Sequence, residues 1–309
     1  MNAPPPIYLA GGVDWMTTQT LYHGLAERGE EAVVLCWPTS PYVSLGCHEP
    51  YEDFRSGSGL AVMRRQVGGS LVYLDQRQVF YHVILSLARP GGPRSPEGWY
   101  RLALGPVVHY LRDLGWQAEL RLPADILVDG LKISGNAGGQ LGESIVVVGN
   151  LLLDFSPQEM AEARALPHPA MRSLFAESMG RHLTTLRARR PDISGQEVMR
   201  GLAAAFREDW GSKTAPIPWS RWREALAQAA RKLTDPEWLL ATRAGAGLGP
   251  VKVREGVYLQ AVRRPDGLWI AEIDTGRSAV LRAWRTTPGL SEVLVDDEKA
   301  AWLLTPAGG

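Results

Sequence analysis

Met16, Leu21 and Leu25 recur, together with Thr20, at close to helical spacing between Asp14 and Gly29. This predicts a helix over 14–28, opened by the aspartate and stopped by the glycine. Beyond it the period shortens. Residues 32–37, 42–45, 60–64, 70–74 and 79–86 are short runs rich in β-branched or aromatic residues, separated by Pro, Ser and Gly, and predict a meandering sheet. A helix follows over about 96–114, with Ser95 as cap, Glu97 in its first turn, Gly115 as its stop, and Pro106 expected to kink it. Further strands are expected around 116–122, 125–134 and 144–154.

The middle of the chain then turns helical. Ser156 to Glu159, Ser194 to Glu197 and Thr234 to Glu237 have the spacing of reciprocal N-terminal caps, and Pro157 and Pro236 sit near first helical positions, where a missing N–H costs little. After the last of these the pattern changes to two strands, 251–263 and 268–275, joined by Pro265-Asp266-Gly267, a strong turn signal. The expectation is an α+β protein: a mixed-sheet domain over 1–232 and a small α+β accessory domain over 233–309.

Composition narrows the function classes. The 309 residues are long enough for one large domain and a small one. Thirty-three Lys plus Arg balance thirty-three Asp plus Glu, so no bulk field favours a nucleic acid or an anionic membrane. Two cysteines, Cys36 and Cys47, are too few for a disulfide framework and lack a CxxC spacing. No basic start precedes an apolar run, and no window approaches a membrane span. The reading is a cytoplasmic protein. The six histidines are scattered without HxxxH or HExxH spacing, so no protein-held metal site is expected. Trp219 and Trp222, at i and i+3, are read as core residues.

Two segments carry chemistry. Arg64-Arg65-Gln66-Val67-Gly68-Gly69-Ser70-Leu71-Val72-Tyr73-Leu74-Asp75 runs from one strand through glycines into the next. Glycines there let a ligand approach the backbone and present N–H groups to an anion, and guanidinium forks match its oxygens. Asp125-Ile126-Leu127-Val128-Asp129-Gly130-Leu131-Lys132-Ile133-Ser134-Gly135-Asn136-Ala137-Gly138-Gly139 contains a tight turn at Asp129-Gly130, with Lys132 just beyond it. A hairpin with surface cations would explain either segment alone. Two such glycine-rich ribbons spend conformational entropy where stability would prefer larger residues.

Together these segments resemble the lipoate–protein ligases, whose signatures are an Arg-Arg-x-x-Gly-Gly-Gly-Ala-Val strand turn and an Asp-Gly-x-Lys-Ile-Ser-Gly-x-Ala ribbon. Val43-Ser44-Leu45-Gly46 and Gly149-Asn150-Leu151-Leu152-Leu153-Asp154 are also similar to that family. The likeness covers roughly 14–165, and Lys252-Val253-Arg254-Glu255-Gly256-Val257 resembles the ligases' accessory domain more weakly.

The resemblance implies a mixed-sheet catalytic domain of the biotin/lipoate ligase type with a lid-like accessory domain. It implies activation of lipoate or octanoate by ATP, with magnesium bridging phosphates, followed by transfer of the acyl group to a lysine of an apo lipoyl-domain protein. Such acceptors are the acyltransferase subunits of 2-oxoacid dehydrogenases and glycine-cleavage H-type proteins. Carried over by residue, Arg65 and the backbone of Ser70, Leu71, Val72 and Tyr73 would hold the nucleotide. Lys132 would be the essential lysine on the acyl-adenylate, touching both nucleotide and acyl group. Gly68, Gly69, Gly135 and Asn136 would line the acyl chain, and Asp125 and Asp75 would support the site.

The chain departs from the pattern at Ala124, where an asparagine is usual, at Ser70 in place of the third glycine, and at Val148, near where many members carry histidine. Biotin ligases resemble a Gly-Arg-Gly-Arg loop that is not present here. An octanoyl or lipoyl transferase would instead use a carrier-bound acyl group and a cysteine, for which Cys47 beside His48 is the candidate. Neighbours on an extended chain point to opposite sides, and Cys36 lies mid-strand. A non-catalytic lipoyl-binding subunit is the reading from a different class, kept open by Ser70 and Ala124.

Overall fold

Asp14 caps the first helix by accepting a hydrogen bond from the Thr17 backbone N–H at 3.0 Å, and Leu21, Tyr22, Leu25 and Ala26 on the helix are buried. The computed structural model describes residues 3–166, 168–241, 249–286 and 289–304. In order these form β1 (Ile7–Val13), α1 (Trp15–Glu27), β2 (Ala32–Pro38), β3 (Tyr42–Leu45), β4 (Ala61–Arg64), β5 (Val72–Leu74), β6 (Gln78–Ser86) and α2 (Pro96–Asp113). Next come β7 (Ala118–Arg121), β8 (Asp125–Val128), β9 (Leu131–Leu141), β10 (Ser144–Leu152), α3 (Pro157–Ala163), α4 (Pro169–His182), α5 (Gly195–Trp210), α6 (Trp219–Leu233) and α7 (Pro236–Leu239). The chain continues with β11 (Val251–Arg254), β12 (Val257–Arg264), β13 (Gly267–Asp274), β14 (Ala279–Arg285), β15 (Ser291–Glu292) and α8 (Asp297–Leu304).

The early strands do not form a meander. β3, β4 and β5 make a separate three-stranded sheet in the order β4-β3-β5, while the main sheet has seven strands in the order β1-β2-β6-β10-β9-β8-β7. The first strand, β1, pairs parallel with β2 and, like β14 and β15, is not marked by the apolar pattern. Both faces of the main sheet are covered, which is why β6 is buried almost end to end. Val79, Tyr81, Val83 and Leu85 pack towards α2 and α5, while Phe80 and Ile84 pack with residues of α1 and α6.

Two of the three expected caps form: Ser156 accepts from the Glu159 N–H at 3.3 Å and Ser194 from the Glu197 N–H at 3.1 Å. The third shifts by one residue. Thr234 ends α6, and Asp235 caps the four-residue α7 by accepting from the Glu237 N–H at 2.8 Å. Pro106 sits buried inside α2. Trp222 is fully buried, with its indole N–H donating to Glu30 at 3.0 Å, whereas Trp219 is 43% exposed.

The C-terminal strands form a second sheet, β11-β12-β13-β14-β15. The expected strand 251–263 is broken at Gly256, whose φ of 80° makes the β11–β12 turn. Of the expected accessory domain, residues 242–248, 287–288 and 305–309 lie outside the described residues. One face of this sheet shares a core with the rest of the chain. Val253, Leu259 and Ile270 pack with Leu71, Met160 and Phe175 in one apolar cluster. Beside it, buried Glu272 on β13 pairs with Arg181 and with His182 of α4, the latter at 2.5 Å. The other face packs Trp269 and Ala271 with Leu303 of α8.

Candidate active site

A cavity of about 180 Å³ lies where the two larger sheets, the three-stranded sheet and α4 meet. The hairpin β8–β9 brings Lys132 to its wall. Asp129 and Gly130 take the left-handed turn, with φ of 49° and 79°, which aims the short two-residue connection back along the sheet. The turn is held from outside by an ion pair between Asp129 and Arg189, and the Lys132 carbonyl accepts from the Thr184 N–H at 2.8 Å. The Lys132 ammonium lies 2.9 Å from a carboxylate oxygen of buried Asp125, whose other oxygen accepts from the Glu255 backbone N–H at 2.6 Å. A charged carboxylate can be buried here because both oxygens are partnered.

Arg65, Ser70, Leu71, Val72 and Tyr73 all line the cavity, as do Gly69, Gly135 and Asn136. Their roles differ. The buried guanidinium of Arg65 donates to the carbonyls of Ser44 at 2.8 Å, Gly68 at 2.8 Å and Ser70 at 2.8 Å, so it fixes the shape of the glycine turn. Gly69 has a φ of 89°, and a Cβ on Gly46 would stand 1.7 Å from the Gly69 carbonyl oxygen, so the two loops touch backbone to backbone. The Leu71 N–H donates to Glu49 at 3.1 Å, and the Tyr73 N–H faces the Met160 sulfur at 3.3 Å, a weak acceptor.

Asn136 pins the wall: its amide donates to the Ala124 carbonyl at 2.9 Å and accepts from the Tyr81 hydroxyl at 2.6 Å. A Cβ on Gly149 would stand 1.9 Å from that amide oxygen, so only glycine fits there. Gly68 and Asp75 do not line the cavity. Gly68 donates its N–H to the Gly138 carbonyl at 3.5 Å, and buried Asp75 holds Arg77 through contacts of 2.9 and 2.6 Å.

The structure adds residues that the local motifs did not indicate. Lys252 and Val253, on β11 of the second sheet, reach the cavity, and the Lys252 ammonium pairs with Glu255 at 2.5 Å. Burial opposes its charge, but Glu255 and then Asp125 outweigh that and raise its pKa above the ordinary lysine value, so it stays an ammonium. The alternation of Gln78, Phe80 and His82 along β6 puts all three on the cavity side, a period-two signal present in the sequence. Neither cysteine lines the cavity among the described residues: Cys36 is buried on β2, where burial raises its thiol pKa, and Cys47 is partly buried in the loop after β3. No cluster of three or more His, Cys, Asp or Glu suited to a metal ion occurs among the described residues.

Two buried histidines, His82 on the cavity wall and His23 beside it, make stability depend on pH. Burial, reinforced by nearby cations, holds His23 at about 3, and burial followed by repulsion from His23 holds His82 at about 3. An unfolded imidazole titrates near 6.5, so below that pH the unfolded chain takes up protons that the folded chain does not. Stability is complete above about pH 6.5 and falls as pH falls towards 3, by up to about 1.4 kcal/mol per pH unit for each histidine. Urea unfolding should show a lower midpoint at pH 5 than at pH 7, with a smaller drop in His23→Gln. The same drop in both proteins would refute this origin.

The family model for the lipoyl protein ligase A/B catalytic domain matches residues 12–207, and the chain belongs to that family. Among curated relatives, the octanoyltransferase LipM of Kyrpidia tusciae is 28% identical over 208 residues, covering 59% of this chain and 75% of that protein. A probable lipoate-protein ligase A of Mycoplasma pneumoniae is 21% identical over 239 residues, covering 75% of this chain and 68% of the relative. Among solved structures, the bi-partite lipoate protein ligase described with its E2 lipoyl domain from Thermoplasma acidophilum has a TM-score of 0.68 at 17% identity, covering 80% of this chain and 100% of that one. A lipoate-protein ligase A bound with ATP has a TM-score of 0.63 at 18% identity, covering 77% and 98%. The fold is thus the α+β fold of the lipoate ligases, and the chain is an enzyme of the lipoyl ligase and transferase family. Among the described residues, no helix is long and apolar enough to cross a membrane.

Proposed function

We propose that the chain is an ATP-dependent lipoate–protein ligase, which converts lipoate or octanoate to the acyl-adenylate and transfers the acyl group to a lysine of an apo lipoyl domain. The observation that carries this reading is the cavity itself: it joins an ammonium held by Asp125 to a glycine turn shaped by Arg65, and no cysteine lines it among the described residues. The likeness in fold to a lipoate-protein ligase A bound with ATP and to a bi-partite lipoate protein ligase supports it.

In this reading the acid's carboxylate attacks the α-phosphorus, pyrophosphate leaves, and Lys132 offsets the charge that builds on the phosphoryl oxygens. Magnesium would supply positive charge to the phosphates, with few protein ligands needed. Lys132 then stabilises the carbonyl oxygen as the acceptor's lysine amine attacks and AMP leaves. Asp125 keeps the ammonium in place, Arg65 with Gly68 and Gly69 holds the turn, and Ser70 to Tyr73 face the nucleotide. Gly135 and Asn136 form the wall beside the acyl group, while Asp75 supports from behind through Arg77. The acceptors proposed are acyltransferase subunits of 2-oxoacid dehydrogenases and glycine-cleavage H-type proteins, met in the cytoplasm.

Residues 1–232 would form the catalytic domain and 233–309 the accessory domain, whose docked hairpin closes the site and limits water. Lys252→Ala should therefore slow acid activation about tenfold, less than the roughly 10²–10³-fold loss of a fully engaged donor, because Glu255 already offsets its ammonium. Wild-type rates in that variant would make the second sheet an appendage. Purified protein with free lipoate, ATP and magnesium should release AMP in proportion to acid, and no acid-dependent AMP would sink the ligase reading. The second reading, an octanoyl transferase using a carrier thioester, draws on the likeness to LipM.

A further inference from the structure

The chemistry proposed at Lys132 leaves the opposite end of the cavity unexplained. Gln78, Phe80 and His82 face the cavity in turn along β6, and at roughly 3.3 Å per residue the first and last stand about 13 Å apart. The register sets Gln78 opposite Leu152, Phe80 opposite Asn150 and His82 opposite Val148, with Ala137 across from Val148 on β9. Asn150 bonds the Gly135 N–H at 3.2 Å, and a Cβ on Gly135 would lie 3.2 Å from the Lys132 ammonium, so the Phe80–Asn150 row borders the lysine and the His82 row lies further in.

His82 is 2% exposed, and its Nδ1 is buried without a hydrogen-bond partner among the described residues. Its surroundings are rings and aliphatic groups: the Tyr22 ring stands edge-on at 5.0 Å and the Phe80 ring at 6.2 Å. Neighbouring His23 is different. Its Nδ1 meets the Gln19 carbonyl at 2.7 Å, and its Nε2 accepts from the Gln66 N–H at 3.1 Å. A buried polar atom with no partner is costly, and a hydrocarbon at that position would leave it so.

We propose that His82 selects the far end of the acyl chain, so that the cavity prefers an acid ending in a sulfur-bearing ring over one ending in plain hydrocarbon; this rests on reading the cavity as an acyl site. An eight-carbon chain with its carboxylate beside Lys132 extends about 9 Å by bond lengths, enough to bring its end to the His82 row. A ring sulfur there accepts weakly from an imidazole N–H and lies among the Tyr22 and Phe80 rings that line the cavity, a favourable neighbourhood for sulfur. A hydroxyl would need further partners that Val148 and Ala137 do not offer.

The test is calorimetric binding of lipoate, octanoate and 5-cyclopentylpentanoate, in which carbon replaces both ring sulfurs, to the full chain without ATP. Wild type should bind lipoate about tenfold more tightly than the carbon-ring acid, the scale of one buried polar contact. His82→Leu should bring the two to within about twofold, chiefly by weakening lipoate. Equal affinities in wild type, or the same preference kept in His82→Leu, would overturn the proposal. Should His82→Leu not fold by thermal melt, His82→Phe, which keeps a ring but removes both nitrogens, takes its place with the same expected and overturning results. Three acids binding equally refute only the role of His82, whereas no binding of any acid refutes the acyl-site reading as well.

Discussion

Lys132→Met is expected to slow acid-dependent pyrophosphate exchange by about 10²–10³-fold, the scale seen when one preorganised charge-stabilising donor is removed from an active site. The effect should fall on the rate more than on acid binding, because the ammonium acts on charge that develops during reaction. The fold should survive at a lower melting temperature, because buried Asp125 loses one of its two partners. The Lys132 carbonyl still accepts from Thr184, and Asp125 still accepts from the Glu255 N–H at 2.6 Å, so the buried carboxylate keeps one strong partner. Methionine is unbranched like lysine and adaptable, so it fits the space that the lysine chain itself vacates. Near-normal activity in a variant that circular dichroism and a melting curve show to be folded would remove Lys132 from the chemistry.

Free lipoate with ATP and magnesium is expected to modify an apo lipoyl domain, with AMP released, and Cys47→Ser should change the rate by less than about twofold. Amide formation from a free carboxylate is uphill in water, so activation must come from ATP or from a thioester. The thioester route needs a nucleophilic thiol at the reacting acyl group. Cys36 is buried on β2 and Cys47 lies in the loop whose N–H bonds to the Val67 carbonyl at 3.1 Å; neither lines the cavity that holds Lys132. The decisive mixture is enzyme, acceptor and octanoyl carrier without ATP, followed by acceptor mass. Modification there that Cys47→Ser abolishes would replace the ligase reading with the transferase one.

Local signals located much of the site. Asp14, Ser156 and Ser194 cap the helices that they announce, because a cap is a contact between residues three apart and needs no tertiary partner. The Asp129-Gly130 turn and the lysine two residues on are local for the same reason. Arg65 was legible as an arginine beside glycines, but its engagement with the carbonyls of Ser44, Gly68 and Ser70 depends on β3 lying next to the turn. Asp75 is expected to support the site; in the fold it does so at one remove, holding Arg77 rather than lining the cavity.

What the sequence determined by itself was therefore the set of short-range devices: capped helices, the β8–β9 hairpin, the glycine turn, and the family to which those motifs belong. Tertiary structure decided the rest. Sorting β3–β5 into their own sheet, adding β1 beside β2, and facing Gln78, Phe80 and His82 into one cavity depend on which strands pair, and pairing joins residues far apart in the chain. The meeting of Asp125 with Lys132 spans one hairpin, but the meeting of Asp125 with Glu255 spans 130 positions. Such a contact exists because burying Val253, Leu259 and Ile270 against Leu71, Met160 and Phe175 draws the second sheet onto the site, and non-directional apolar burial leaves little local trace of which surfaces will meet.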